Sequence, residues 1–167
     1  MRVDRPRRKS IRLQNFDYSQ NKAYFVTICI HNRQPLFGEI VGATLCGRPN
    51  RPDLMVEKWL REIGDKYENT KLYDYIIMPD HIHFVIGLTG DHAGSPLPDI
   101  IRWFKTMTAN EYIRGVKGGL YLPFEDKFWQ RSFFDHIVRC EDDMFSISEY
   151  IKKNPLIWQI KNAAPTN

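Results

Sequence analysis

Apolar and polar positions alternate along Lys22–Ile30, KAYFVTICI, so that Tyr24, Val26, Ile28 and Ile30 share one face and Phe25, Thr27 and Cys29 the other. Period-two alternation in β-branched and aromatic residues predicts a strand. Residues 32–51 break the pattern with Pro35, Gly38, Gly42, Gly47 and Pro49 and read as loop, with a short strand at Phe37–Val41. From Pro52, a first-turn proline, PDLMVEKWLREIGDKY spaces Leu54, Trp59, Leu60 and Ile63 as one face of an amphipathic helix. In DYIIMPDHIHFVIGL two apolar runs, Tyr75–Ile77 and Phe84–Ile86, flank Met78-Pro79-Asp80, which predicts a β-hairpin with a short proline turn. Its second strand turns His81 and His83 to one face and Ile82, Phe84 and Ile86 to the other.

After a polar bridge at Gly90–Pro96, LPDIIRWFKTMTANEYIRGVKGG predicts a long helix. Ile100, Ile101, Phe104, Met107 and Thr108 lie on its buried side, Arg102, Lys105, Arg114 and Lys117 are exposed, and Gly115, Gly118 and Gly119 are available stops. The aromatic run Phe128–Val138 reads as a strand with its flanks. Glu141, Asp142 and Asp143 then open a helix that Lys152 and Lys153 close, the charge order that complements the helix dipole, and Pro155 ends it near Asn154. Met144, Ile147 and Ile151 form its buried stripe, with Tyr150 and Asn154 four apart on adjacent turns beside it. Strand, helix, strand, strand, helix, strand is the split βαβ order. It predicts an α+β, ferredoxin-like fold: a four-stranded antiparallel sheet with both helices packed on one face, plus the C-terminal helix.

The 167 residues suit one domain, and no apolar run approaches a membrane span. Three cysteines without CxxC spacing, Cys29, Cys46 and Cys140, read as reduced thiols of a cytoplasmic protein. The charge is uneven. Residues 1–12 hold Arg2, Arg5, Arg7, Arg8, Lys9 and Arg12 against Asp4, whereas the other 155 residues hold 18 basic and 19 acidic groups. A basic arm beside a near-neutral domain suits contact with a phosphate backbone, although a solvated end that aids solubility has the same composition.

The chemistry rests on two pairs. Two imidazoles one pleat apart can reach a single divalent ion and leave room for further groups, yet the same spacing also describes a strand end with incidental histidines. Tyr150 and Asn154 equally fit a core tyrosine and a C-terminal cap. Taken together, His81-Ile82-His83 after Met-Pro-Asp, the run FWQRSFFDHIVR, the closing YIKKNP and the opening RRKSIRL, NFDYSQNKAYFVTICIHNR and LFGEI resemble the IS200-type, single-tyrosine HUH transposases, and within them the REP-associated tyrosine transposases.

The resemblance implies that His81, His83 and Asn154 hold Mg²⁺ or Mn²⁺ and that Tyr150 is the nucleophile. The reaction it implies is cleavage and rejoining of single-stranded or hairpin DNA through a 5′-phosphotyrosine. The whole reading is a basic arm over 1–20, a catalytic domain over 21–160 and a tail over 161–167, in a cytoplasmic, nucleoid-associated protein slightly favoured as monomer over homodimer. Arg5, Arg7, Arg8, Lys9 and Arg12 of the arm, with Trp129, Arg131 and His136, are candidate DNA contacts, and Gln130 and Phe133 share that stretch. In one departure, Asn21-Lys22-Ala23 stands where REP-associated members carry a glycine-threonine pair. Two other readings compete: a domesticated, non-catalytic DNA-binding protein that retains the fold, and a metallohydrolase that uses water and does not need Tyr150.

Overall fold

In the computed structural model, which describes residues 22–41, 44–47, 50–89 and 97–162, the order is β1 (Lys22–Cys29), β2 (Gly38–Val41), β3 (Thr44–Gly47), α1 (Pro52–Lys66), β4 (Thr70–Met78), β5 (His81–Leu88), α2 (Leu97–Lys117), β6 (Phe134–Val138) and α3 (Glu141–Asn162). The arm 1–20, with Arg5, Arg7, Arg8, Lys9 and Arg12, the bridge at 90–96 and the end of the tail lie outside the described residues. Strands β4, β5, β1 and β6 form, in that order, one sheet whose neighbours are all antiparallel. This is the expected α+β arrangement. The expected short strand at 37–41 is β2, and it pairs with β3 as a separate hairpin.

Alternation divides the sheet into two faces. Tyr24, Val26, Ile28, Ile82, Phe84 and Ile86 join the buried stripes of α1 and α2 in the main core, while Phe25 and Val85 pack with Ile147 and Ile151 of α3 on the opposite side. Strand β5 is therefore buried throughout. In α1 the stripe is Met55, Val56, Leu60 and Ile63, and the expected Leu54 is instead 48% exposed. Leu54 stands roughly 200° around the helix from Val56, on the solvent side. In α2, Met107 is only half-buried, and Tyr112 extends the stripe.

Two helix ends differ from expectation. Helix α2 stops with Gly119 in the left-handed region (φ 71°), where Leu120 N–H bonds to Gly115 O and Gly119 N–H to Val116 O, the paired bonds of a glycine-terminated helix. Gly115 is no stop. It lies inside the helix because Tyr121 packs on its Cα, and a Cβ there would stand 2.1 Å from a ring carbon. Helix α3 does not end near Asn154 but continues through Pro155 to Asn162. An interior proline costs about 3 kcal/mol through one lost hydrogen bond and a clash. Burial of Asn154 and Pro155, and the ring contact of Trp158 one turn on, offset that cost.

Strand β6 is also shorter than the aromatic run. Residues 128–133 leave the sheet apart from a single bridge between Trp129 and Ile30. Lys105 Nζ donates to the carbonyls of Gln130 and Ser132 at 2.7 and 3.1 Å, and Trp129 Nε1 donates to Thr108 Oγ1 at 2.8 Å, so the segment is tied to α2 instead. Lys105 is thus occupied in the fold, not spare surface charge.

The two helical glycines Gly64 and Gly115 should respond oppositely to alanine. Nothing stands within 4 Å of a Cβ at Gly64, so Gly64→Ala should stabilise by up to about 1 kcal/mol. Gly115→Ala should destabilise by about 1–3 kcal/mol through overpacking against Tyr121. Urea denaturation of the two variants beside wild type measures both signs.

Candidate active site

The β4–β5 turn at Pro79–Asp80 is fixed by two backbone bonds: Phe37 N–H to Pro79 O (3.0 Å) and Ile30 N–H to Asp80 O (2.8 Å). That anchor sets where β5 begins, and β1 sets its register, with Cys29 opposite His81 and Thr27 opposite His83. His81 and His83 consequently stand side by side on the α3 face, 5% and 4% exposed. Their Nε2 atoms are 3.1 Å apart.

Each ring is held from behind through Nδ1. The carboxylate of Asp80 accepts from His81 Nδ1–H (2.5 Å), and its other oxygen accepts from Arg33 Nε (2.8 Å). This fixes the His81 tautomer with its lone pair on Nε2, toward His83. His83 Nδ1 lies 2.8 Å from Thr27 Oγ1. A hydroxyl donates or accepts equally well, so Thr27 satisfies His83 whichever nitrogen carries the proton. Desolvation by burial, helped by His81 and Arg33, pushes His83 down to about 3. It is a neutral imidazole at physiological pH. Arg33 also reaches Cys29 Sγ, and Asn32 and Arg33 both adopt left-handed φ (53° and 55°) to bring that guanidinium in.

Helix α3 roofs the pair. The Tyr150 ring meets His83 at 5.3 Å and Phe25 at 6.0 Å, edge-on in both cases, and is itself 45% exposed. Asn154, one turn on, is buried at 6%, and the Trp158 ring lies 5.5 Å from His81. Ser148 Oγ donates to Asp74 of β4, which pins the helix across the sheet. The irregularity between Leu72 and Tyr75 turns Asp74 toward α3.

Among the described residues no three His, Cys, Asp or Glu side chains converge on a metal position. The donors seen to converge here are the two imidazoles. Two nitrogens bound at right angles to one ion at ~2.1 Å would be ~3.0 Å apart, so the Nε2 separation fits a shared divalent ion, and the anchored Nδ1 atoms fit it too.

Residues 18–154 match the sequence profile of the family described as "Transposase IS200 like". The chain belongs to that family. Such transposases are typically metal-dependent HUH endonucleases. An uncharacterized protein of Haemophilus influenzae strain Rd is 29% identical over 164 residues, covering 91% of this chain and 90% of its own. Among solved structures, a REP-associated tyrosine transposase bound to a REP hairpin superposes with a TM-score of 0.60 at 16% identity over 88% of this chain and 74% of that one. A candidate transposase of Deinococcus radiodurans R1 does so with a TM-score of 0.51 at 17% identity, over 85% and 97%. These two likenesses establish the IS200-type transposase fold.

The other candidate contacts divide between the two faces. His136 is on the histidine face, opposite Phe25 and half-exposed, with Nε2 2.9 Å from Asp143 of α3. Trp129 and Phe133 are largely core rings, 6% and 4% exposed, and what remains exposed of them lines a groove on the α2 side. Arg131 lies on the far side, in a groove of 490 Å³ shared with Ile101, Arg102, Asn110 and Phe133, away from the histidines. Four residues that hold or cover the histidine pair were not singled out in the sequence: Thr27, Arg33, Asp80 and Trp158. Register identifies the first, Asp80 directly precedes His81, Arg33 reaches in only through its turn, and Trp158 was hidden behind Pro155. No helix among the described residues is long and apolar enough to cross a membrane.

Because His83 is depressed in the folded state, its contribution to stability is present above the unfolded value of 6.5 and is lost as pH falls toward about 3. The unfolded chain takes up a proton there that the folded protein refuses. Unfolding free energy should therefore fall more steeply from about pH 7 to about pH 4 for wild type than for His83→Asn, by a difference approaching one proton. Urea titrations of both proteins across that range measure it.

Proposed function

We propose that this chain is a DNA strand transferase that cuts single-stranded or hairpin DNA with Tyr150 as nucleophile and rejoins it by reversal. The observation that carries the reading is the convergence of His81 Nε2 and His83 Nε2 at 3.1 Å beneath the ring of Tyr150. A protein that merely binds DNA has no use for two imidazoles aimed at one point beside a half-exposed phenol.

The tyrosine oxygen attacks the scissile phosphorus, the bond from phosphorus to the 3′-oxygen breaks, and the 5′-phosphate stays on Tyr150. The phenol gives up its proton and the departing 3′-oxygen gains one. No water is consumed, so the free 3′-hydroxyl can attack the phosphotyrosine and restore a diester. A phenol with an ordinary pKa of about 10 is a weak nucleophile at neutral pH. His81, His83 and Asn154 would hold Mg²⁺ or Mn²⁺, which supplies polarisation of the phosphate oxygens and stabilisation of developing charge. Asp80 and Thr27 keep the imidazoles aimed. Arg33 holds Asp80. His136, on the same face, would contact the strand, and Arg5, Arg7, Arg8, Lys9 and Arg12 would contact its phosphates. The REP hairpin bound by the solved relative supports a hairpin as substrate here.

Covalent capture tests the reading. A labelled single-stranded oligonucleotide from the flank of the gene should become attached to the wild-type protein in Mg²⁺ or Mn²⁺. Tyr150→Phe should bind it without attachment, and the His81→Ala, His83→Ala double variant should lose cleavage with its fold intact. Cleavage by Tyr150→Phe at the wild-type rate would instead establish a water-using hydrolase.

Removal of residues 1–12 tests the arm. Affinity for the same oligonucleotide should drop, and the slope of log K against log salt should flatten by up to about 0.7 for each lost phosphate contact. Coincident slopes for the full and shortened chains would make the arm a bystander.

A further inference from the structure

We propose that Phe134 is a stacking platform for one unpaired nucleobase, beside the phosphate engaged at the histidine pair; the inference rests on the DNA-cleaving reading above. Pairing puts Phe134 of β6 opposite Thr27 of β1, and Thr27 opposite His83 of β5. The three lie on one row and one face, for Thr27 is hydrogen-bonded to His83 on that face. Two strand spacings separate Phe134 from His83, about 10 Å between backbones, a span that neighbouring nucleotides of an extended strand cover.

The surface around Phe134 is open. Helix α3 covers Phe25 and Val85 with Ile147 and Ile151 and stands over His81 with Trp158, but Thr27 and Cys29 are only half-buried and Phe134 is 45% exposed. Its sequence neighbour Phe133 is 4% exposed, in the main core. Exposure of Tyr73, at the opposite edge of the sheet, has a local explanation, since Lys71 Nζ lies 5.0 Å from its ring. Among the described residues no such partner covers Phe134. Half-exposed Tyr150 and His136 flank the same opening.

An aromatic ring of this kind accepts any base, because every base has a π-face. It accepts an unpaired base most readily, since inside a duplex both faces of each base are already stacked. Phe134 would thus favour single-stranded DNA at the cut without reading its sequence. The other candidate occupant is a second copy of this chain, because β6 is an edge strand able to pair with another edge.

A substitution cycle separates these. Affinity is measured by fluorescence anisotropy for a labelled single-stranded oligonucleotide from the gene's flank and for versions carrying one abasic position each, scanned along it. Phe134→Ala should weaken binding of the intact strand roughly 5- to 150-fold, the range expected of one stacked base. Removal of one particular base should weaken wild type equally and the Phe134→Ala variant no further, and Phe134→Trp should bind as wild type does. Wild-type affinity in Phe134→Ala, or losses that add at every position, would overturn the platform. So would sedimentation that finds a wild-type dimer dispersed to monomers by the substitution. Failure of wild type to bind any of these strands would overturn it together with the function it rests on. Coupled binding without any covalent Tyr150 adduct would leave the platform standing and overturn only the cleavage reading.

Discussion

The pairing of β1 with β5 is the constraint on which the rest of this domain depends. A shift of one residue would exchange the two faces of β5, sending His81 and His83 into the apolar core and Ile82 and Phe84 toward α3. The main core opposes that slip with 24 buried residues among those described. Burial of Ile82, Phe84 and Ile86 therefore does more than stabilise the fold. It aims the imidazoles, because each apolar side chain driven down forces its histidine neighbour up. The backbone bonds from Phe37 and Ile30 to the Pro79–Asp80 turn fix the end of the same strand, so the first histidine follows a turn that cannot wander.

That division of faces explains why so much of the fold was legible in sequence. Period-two alternation in KAYFVTICI and HIHFVI is a direct consequence of a sheet buried on both sides by unlike partners, and the helical spacing of Val56, Leu60 and Ile63 follows from the same core. Legibility failed where tertiary contacts override local preference. Pro155 reads as a helix stop because a proline removes a bond, and nothing local reveals that Trp158 has a ring to meet four residues before the helix ends. Phe128–Phe133 reads as strand, yet Lys105 from a distant helix takes its carbonyls. In the site, spacing alone left positions 81, 83, 150 and 154 open to structural roles, and it was the resemblance across several separated motifs that singled them out. Arg33, whose role arises from two consecutive left-handed residues and an ion pair across the sheet, gave no local signal.

The two faces are packed differently. Helices α1 and α2 share the main core, and Trp59 Nε1 and Lys58 Nζ of α1 both reach Glu111 of α2. On the other side, α3 rests on a buried cluster of Phe25, Val85, Ile147 and Ile151, supplemented by the bonds of Ser148 to Asp74 and of Asp143 to His136. The buried apolar cluster under α3 is thus smaller than the core that α1 and α2 share. This asymmetry bears on access to the histidines. They are 5% and 4% exposed because Tyr150 and Trp158 cover them, and both covers belong to that helix. Displacement of α3 would expose the imidazoles without disturbing their aim, since Asp80, Thr27 and Arg33 all come from the strands and turns of the sheet side. The groups that hold the histidines and the groups that cover them are thus on separate parts of the structure.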